Sequence, residues 1–200
     1  LGDMGAAREH YRALIGNPKT APAALSGLHE QAQAQGRHNA ALTFAQKAVA
    51  IAPSTIWATS AVFDNLVQKG AWEQAIAMAA DTPATTREEK SRKRHRLAVL
   101  ETALARTLEA TSPLEALDHA LVALKTEADF VPGALIAARI EANRGEVRKA
   151  MSLLRRVWRS TNHPDVATLY ANSQPAASAV DRLRRVRELI ETPPADRSSA

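Results

Sequence analysis

The sequence predicts an all-α protein, a right-handed solenoid of stacked helix pairs. Small residues recur at a regular spacing, and a helix-breaking pair stands five residues before each of them. A spacing of about 34 residues, with a turn ahead of a small buried residue, is typical of paired helices that stack on one another. Aromatic residues are only 4% of the chain, which favours closely packed helices over sheet. The recurring residues are Ala7, Ala41, Ala75, Ala116 and Ala150, at intervals of 34, 34, 41 and 34 residues.

Each interval has room for two helices and a short turn, so the spacing predicts one repeat domain over residues 1–200. A single helix comes first, and five helix pairs follow it. The predicted boundaries are 1–16 for the single helix, then 22–52, 55–81, 86–127, 132–160 and 165–191 for the pairs. The chain opens in the middle of a repeat, and Ala195–Ala200 resembles the start of another helix. We therefore expect this chain to be a piece of a longer protein.

Turn residues predict where the helices end and begin. Gly36, Gly70 and Gly145 follow predicted helices at the position where a left-handed backbone is needed, which glycine adopts most easily. The segment Ser112–Glu115 has the pattern of a capping box with proline in the first helical position. Thr85–Glu89 offers two overlapping capping boxes, so a helix should begin there as well.

Composition narrows the classes of function. The chain has no cysteine, which removes disulfides, thiolate metal ligands and thiol nucleophiles. No apolar stretch reaches the roughly 20 residues that a membrane span needs. The sequence also lacks a glycine-rich phosphate loop, a nucleophile elbow and a His-Glu-x-x-His motif. We therefore predict a protein that is not an enzyme and that holds no metal and no cofactor.

The first full pair carries a pattern that resembles the tetratricopeptide repeat. The resemblance implies helices that approach closely at small residues, and a concave groove that binds other proteins. The first-helix tryptophan of the consensus is missing here. The matching residues are Leu25, Leu28 and Ala32, then Gly36-Arg37, then Ala41, Ala45, Ala48 and Pro53.

From about residue 90 to 190, the order of the motifs also resembles the repeat region of the bacterial HemY family, whose members are associated with haem biosynthesis. The resemblance implies an inner-membrane protein whose repeats lie on the cytoplasmic side, after two membrane-spanning helices that are absent from this chain. It also implies haem-pathway or membrane proteins as partners, and it supplies no catalytic residues. The motifs are Arg92–Leu100, Ala128–Pro132, Arg148–Ala150, Val157-Trp158, His163–Asp165, Leu169–Ala171, Arg182-Leu183 and Arg185-Val186.

The first helix of each pair lines the concave groove in a solenoid of this type. One stripe of each first helix therefore predicts the partner-binding residues. Trp57 is either an exposed anchor, since aromatic residues dominate binding hot spots, or part of the core, and the sequence leaves both open. The predicted residues are Glu30 from the first full pair, Trp57, Asp64 and Gln68 from the second, Glu101 from the third, and Arg139 and Asn143 from the fourth.

The 41-residue interval exceeds the others by seven residues, about two helical turns, and the extra length is strongly basic. A continuous helix over 86–110 would span about 37 Å, and its first half would overhang the stack as a charged arm. The arm is either a docking site for an acidic partner or anionic lipid, or a solvated helix end with pairs such as Glu89 with Lys93. Its basic surface is Lys90, Arg92, Lys93, Arg94 and Arg96.

Beside a protein-binding scaffold, two other functions stay open. A haem or porphyrin carrier would need axial ligands, but the six histidines are spread over different repeats, so we expect weak binding. His29 occupies a position that is usually packed between helices. A generic peptide-binding adaptor unrelated to haem is the other alternative. A second basic set lies on predicted second helices, but nucleic acid is disfavoured because few aromatic residues can stack on bases. That set is Arg155, Arg156, Arg159, Arg182, Arg184, Arg185 and Arg187.

Overall fold

The described part of the chain is helical. A computed structural model describes residues 4–174 and 178–191, with side chains from residue 9 onward, and no strand occurs in these stretches. The predicted all-α fold of helix pairs is confirmed, while the handedness of the stack stays a prediction. The helices are α1 (Met4–Ile15), α2 (Ala21–Ala34), α3 (His38–Ile51), α4 (Ile56–Gln68), α5 (Trp72–Asp81), α6 (Arg87–Leu108), α7 (Pro113–Thr126), α8 (Val131–Asn143), α9 (Val147–Thr161), α10 (Pro164–Asn172) and α11 (Ala179–Ile190).

Some predictions fall outside the described residues. They are the start of the first helix, the helix break at residues 2–3, the burial of the Ala7 side chain, the start of the last helix at residue 176, and the new helix at 195–200. The other predicted helix ends lie within two residues of the observed ones.

The helices fall into two compact units, residues 1–75 and 76–200, and the division lies within α5. In the first unit, α2 packs against both α1 and α3, and α3 packs against α4. In the second unit, each helix from α6 to α10 packs against its successor, and α8 also contacts α6 and α10. Contacts between successive first helices are what a stack of helix pairs requires. A single domain over 1–200 stays a prediction.

Three turns share one hydrogen-bonding pattern. Gly36, Gly70 and Gly145 have φ of 68°, 67° and 84°, as the sequence predicts. In the first turn, the amide of Gly36 donates to the Gln33 carbonyl and the amide of Arg37 donates to the Ala32 carbonyl, both at 2.9 Å. The other two turns repeat these bonds, which form the Schellman motif. The left-handed glycine thus ends the helix in each case.

The N-termini of α6 and α7 are capped in different ways. Thr86 caps α6 in a full capping box with Glu89, as predicted. Ser112 does precede Pro113 at the start of α7, but its side chain makes no capping hydrogen bond, so the predicted capping box is wrong there. In a capping box the Glu115 side chain would accept from the Ser112 amide, but this amide donates instead to the Leu108 carbonyl at 2.8 Å and closes the turn from α6 without a glycine.

Small residues allow the helices to approach closely. Ala41, Ala75, Ala116 and Ala150 are fully buried, which confirms the register predicted from their spacing. Gly27 in α2 serves the same purpose for α1, because a Cβ at that position would lie 2.3 Å from the Tyr11 ring. Close backbone approach leaves little room for added volume, so these positions are sensitive to larger side chains.

Candidate functional site

A wide groove lies within the first unit, between α2, the start of α3, and α4. Its cavity has a volume of about 610 Å³. We call it the Trp57 groove. Because α2 and α4 are the first helices of successive pairs, this is the surface that the repeat pattern predicts for binding. Its lining residues are His29, Gln33, His38, Leu42, Trp57, Ser60, Ala61, Asp64, Asn65 and Gln68.

Trp57 belongs both to the groove and to the core. It is half-buried, and it packs against the cluster formed by Leu25, Ala48 and Ala58. The His29 ring lies 5.2 Å from the Trp57 ring, centroid to centroid, at an angle of 48°. The Nδ1–H of His29 donates to the Ala41 carbonyl at 3.0 Å, which fixes this imidazole between helices as predicted. The indole therefore presents a held, partly exposed face, which suits an anchor for an apolar side chain.

Polar groups surround this aromatic floor. His38 Nδ1 lies 3.0 Å from Gln33 Oε1, so these two side chains orient each other across the α2–α3 turn. Asp64 is exposed, and among the described residues it forms no ion pair. With histidines neutral, Asp64 is the one charge among the lining residues. The groove therefore combines an aromatic floor with amides and one free carboxylate.

The structure brings together three of the four residues predicted for this unit. Trp57, Asp64 and Gln68 line the groove, whereas Glu30 lies exposed on α2 and accepts a hydrogen bond from Ser26 at 3.2 Å. The roles of all four in binding stay predictions. Sequence reasoning missed His38 and Leu42, because the predicted stripe was confined to first helices. Their position in the first turns of α3, after Gly36, could have indicated that they line the groove, because the start of α3 faces the neighbouring first helix.

A smaller groove of about 280 Å³ lies in the second unit between α8 and α10. Leu135 and Leu169 give it an apolar lining, and Arg139, Asp165, Thr168 and Asn172 complete it. Arg139 is already engaged, since its Nη1 lies 3.2 Å from a carboxylate oxygen of Glu109 at the end of α6. This predicted residue therefore links two successive first helices as well as lining the groove.

The remaining two predicted residues lie apart from both grooves. Glu101 in α6 accepts a hydrogen bond of 2.7 Å from Nδ1 of His119 in α7. The Glu101 side chain is only 12% exposed, so this bond lies mostly within the helix pair. Asn143 is exposed at the last residue of α8. Within the second unit, Arg139 is thus the predicted residue that lines a groove, and the roles of Glu101, Arg139 and Asn143 in binding stay predictions.

The basic run forms the start of α6, as predicted. His95 Nδ1 lies 2.9 Å from a carboxylate oxygen of Glu127, the residue directly after α7. Because α6 and α7 are antiparallel neighbours, residues 87–94 extend past the end of α7 by about 12 Å at about 1.5 Å per residue. The first buried residue of α6 is Ala98. We call residues 87–96 the arm.

The contacts of Lys93 differ from two expectations, that it pairs with Glu89 and that the arm makes no contact outside its own helix pair. Its Nζ donates to the Thr82 carbonyl at 2.8 Å and also to the Ala80 carbonyl, so it binds the C-terminal end of α5. The predicted pair of Glu89 with Lys93 is therefore wrong, because Glu89 faces the opposite way, into its capping box. The ion pair that forms within the arm joins Arg92 to Glu88 at 3.8 Å. The arm is thus fastened on one side, and its exposed cations include Lys90 and Arg94.

Hydrogen bonds at the start of the arm set the charge of Glu89. The backbone amides of Thr86 and Thr85 both donate to its carboxylate, and the Thr85 hydroxyl donates as well. These bonds favour the charged form and lower the pKa of Glu89 from 4.5 to about 2, the Thr86 amide having the largest effect. The carboxylate also lies at a helix N-terminus, where negative charge is favourable.

The second basic set is partly engaged in packing. Arg155 donates to the Tyr170 hydroxyl at 2.6 Å, with its guanidinium 5.7 Å from the ring centre. Arg185 donates to the Ala171 carbonyl at 3.0 Å. Arg155 thus connects α9 to α10, and Arg185 connects α11 to α10.

Within residues 4–174 and 178–191, no group of three potential ligands is placed to hold a metal ion. No described helix has the length and apolar character to cross a membrane.

Helix pairs with buried alanines in register and three Schellman turns define the class of this chain, a helical repeat protein. Its sequence matches no protein-family model and no curated protein. Among solved structures, it is similar to YrrB, described as a tetratricopeptide repeat protein with an unusual peptide-binding site. The two are 18% identical over 91% of this chain and 93% of that chain, with a TM-score of 0.49. It is also similar to TTC0263, a thermophilic tetratricopeptide repeat protein of Thermus thermophilus, at 20% identity, 88% and 93% coverage, and a TM-score of 0.37.

Proposed function

We propose that this chain is a non-enzymatic scaffold that binds a peptide segment of a partner protein in the Trp57 groove. The observation that carries the proposal is the groove itself. It has a volume of about 610 Å³ and lies between two successive first helices, and α4 supplies both the half-buried indole of Trp57 and the free carboxylate of Asp64. Binding sites commonly have volumes in this range and pair an apolar lining with a few polar groups. Among the described residues, no group of three potential ligands, in this groove or elsewhere, is placed to hold a metal ion.

The groove suits a particular kind of segment. An apolar or aromatic side chain would pack on Trp57, while the amides of Gln33, Asn65 and Gln68 would pair with its backbone. Asp64 would attract a lysine, an arginine or an N-terminal amine, because an exposed carboxylate favours cationic partners. We therefore propose a segment with a basic residue near a bulky apolar one.

A display library of random peptides, selected on the full chain, tests this proposal. Selected peptides should be rich in basic and apolar residues, and Trp57→Ala should weaken their binding by about 30-fold, as expected for an anchor residue. Asp64→Lys should weaken binding as well. Glu73→Lys is the matched control, because it makes the same charge change at another exposed position of the first unit outside the groove. Equal binding to the Asp64→Lys and Glu73→Lys variants would place the site elsewhere.

More narrowly, we propose that the partners are haem-pathway or membrane proteins and that the chain works on the cytoplasmic side of a bacterial inner membrane. The order of motifs from Arg92 to Val186, which resembles the HemY repeat region, supports this narrower proposal. Crosslinking in bacterial membranes, with Trp57→Ala as the control, should recover haem-pathway enzymes with the parent chain alone. Recovery of unrelated proteins would favour the generic adaptor.

A haem or porphyrin carrier is a second candidate, and one observation favours it. His29 and His38 line the same cavity as Trp57, although they lie on different helices. Because His29 donates through Nδ1, its Nε2 is the nitrogen left to bind iron. We still expect weak and unsaturable haem binding, since no clustered ligand set is present among the described residues. A one-to-one Soret shift that His29→Ala or His38→Ala abolishes would favour the carrier over the scaffold.

We also propose that the arm contacts an anionic membrane surface. Six of its ten residues are basic, from Arg87 to Arg96, and its protruding end has no apolar side chain before Leu97. A protruding helix end without apolar side chains offers a partner's apolar side chain nothing to pack against. A flat lattice of lipid phosphates can meet cations that point in several directions, at about 1 kcal/mol for each lysine or arginine.

A further inference from the structure

A second cleft in the first unit lies between α1 and α3, with α2 as its floor. Its volume is about 260 Å³. Leu28 and Gln31 of α2 form the buried floor, and the half-buried Phe44 of α3 forms an apolar wall. Arg12, Arg37 and Lys47 stand around it, and no acidic side chain lines it. We call this the cationic cleft.

The cationic cleft and the Trp57 groove lie on opposite sides of α2. Successive residues of a helix are about 100° apart, so Leu28 and Gln31 lie on one side while His29 and Gln33 lie on the other. The structure agrees, because the first two line the cationic cleft and the last two line the Trp57 groove. A ligand in one site therefore leaves the other accessible.

The charges of this cleft are largely unpaired. Arg12 is paired with Glu9 at 2.8 Å, on an exposed turn of α1. Arg37 and Lys47 are exposed, and among the described residues neither forms an ion pair. Two free cations therefore face a cleft that offers the apolar side chains of Leu28 on its floor and Phe44 on one wall. This combination fits a ligand with a negative charge directly beside a bulky apolar group.

The size of the cleft decides between ligand classes. Pockets for small molecules and cofactors are typically about 300–1,000 Å³, so about 260 Å³ is small for a free metabolite. It is large enough for one bulky side chain and a neighbouring carboxylate. We propose that the cationic cleft binds a partner protein through an aspartate or glutamate adjacent to a leucine, phenylalanine or methionine. This site is independent of the Trp57 groove and has the opposite charge preference.

Two blocked dipeptides test the proposal on the ¹⁵N-labelled full chain. N-acetyl-Leu-Glu-amide should shift the signals of Leu28, Gln31 and Phe44 with a dissociation constant of about 1 mM, as expected for so small a ligand. N-acetyl-Leu-Gln-amide, which has the same shape without the charge, should bind at least tenfold more weakly. Lys47→Glu should cause a similar loss, and raised salt should weaken binding of the charged dipeptide only.

Lys69→Glu is the matched control, since it reverses another exposed cation of the same unit outside the cleft and should leave the affinity unchanged. The proposal is overturned if the two dipeptides bind equally, if no saturable shift is reached at about ten times the expected dissociation constant, or if the shifts lie on other basic surfaces. Shifts at Trp57 and Asn65 instead would assign the acidic dipeptide to the other groove. Because the two sites have different reporter residues, failure here leaves the Trp57 groove to its own test.

Discussion

The grooves of the two units differ in how far their polar side chains are already engaged. In the first unit, Asp64 lies in a wide groove without an ion-pair partner among the described residues. In the second unit, Arg139 lines a groove of less than half that volume and is held by Glu109. Their cores differ in the same direction. Of the largest fully buried side chains in the described chain, Leu25 lies in the first unit, whereas Tyr170, Leu154, Leu189, Val157 and Val166 lie in the second.

The two units therefore differ in what their polar side chains do. Those of the second unit mainly stabilise the stack, and Asp64 of the first unit is available to a partner. A side chain that bridges two helices stabilises the stack, but it is less available to a partner. The second unit uses Glu101, Glu109 and Arg139 in this way. The first unit leaves Asp64 of its groove without an ion pair among the described residues, and it buries fewer of the largest side chains. We therefore expect mutations to affect stability most in the second unit and binding most in the first.

The largest expected effect is the loss of a buried side chain in the second unit. Leu154→Ala should lower the free energy of unfolding by about 2–5 kcal/mol, because it leaves a cavity in the core. Urea unfolding followed by circular dichroism measures this change. Leu183→Ala is the control, since Leu183 is 52% exposed in the same unit and its loss should be nearly neutral. Equal losses of stability in the two variants would show that Leu154 does not belong to the core of the second unit.

Overpacking of the alanine register should have the next largest effect. Ala41→Leu and Ala116→Leu each add volume at a fully buried contact, so each should cost about 1–3 kcal/mol. Thermal and urea unfolding both report the loss. Ala50→Leu is the control in α3, because Ala50 is exposed on the same helix as Ala41. If both buried variants are as stable as the control, the register does not mark the helix contacts.

A change in the arm should alter membrane binding without altering stability. Vesicles rich in anionic lipid should sediment the parent chain at low salt, and neutral vesicles should not. Lys90→Glu combined with Arg94→Glu should weaken this binding at least tenfold, given about 1 kcal/mol per cation. Lys93 is left unchanged, because its contact with α5 would be lost.

Lys19→Glu combined with Lys69→Glu is the control for net charge, since both lysines are exposed in the first unit. This variant should bind the vesicles like the parent. Should both double variants lose binding equally, net charge rather than the arm would explain the attraction. Binding that persists at 1 M salt, where the Debye length is about 3 Å, would contradict an electrostatic contact.

The smallest expected effect is the response of the arm to acid. The pKa of Glu89 is lowered from 4.5 to about 2 by its capping hydrogen bonds. A lowered pKa in the folded state stabilises the helix start above about pH 4.5, and this contribution is lost as the pH falls through about 2. Hydrogen exchange at the Glu89 amide should therefore be faster in Glu89→Gln than in the parent at pH 5, and the difference should shrink towards pH 2. Glu88→Gln, one residue earlier, should show no such difference.

The sequence was sufficient for most of the fold, because the features that decide it are local. Gly36, Gly70 and Gly145 end helices through their own backbone, and the alanine spacing follows directly from helix geometry. The capping box at Ser112 failed because a backbone bond to Leu108 competes with the side chain, and such competition depends on the whole turn.

The candidate site was only partly predictable. Trp57, Asp64 and Gln68 share one helix face, so their common lining followed from helical spacing. His38 and Leu42 come from another helix, and the sequence does not specify how closely the two helices approach. The contact of Lys93 with the end of α5 is equally non-local, since it depends on where α5 stops.

The absence of a Cβ at Gly27 has a consequence for the two surfaces of α2. The Tyr11 ring occupies the space that a Cβ at position 27 would fill, so the docking of α1 depends on a side chain that is not there. A larger residue at this position would have to displace the Tyr11 ring, which lies on the α1 side of α2. The Trp57 groove lies on the far side of α2. Gly27→Ala is therefore a change of one methyl group that is directed at one surface of the helix and not at the other.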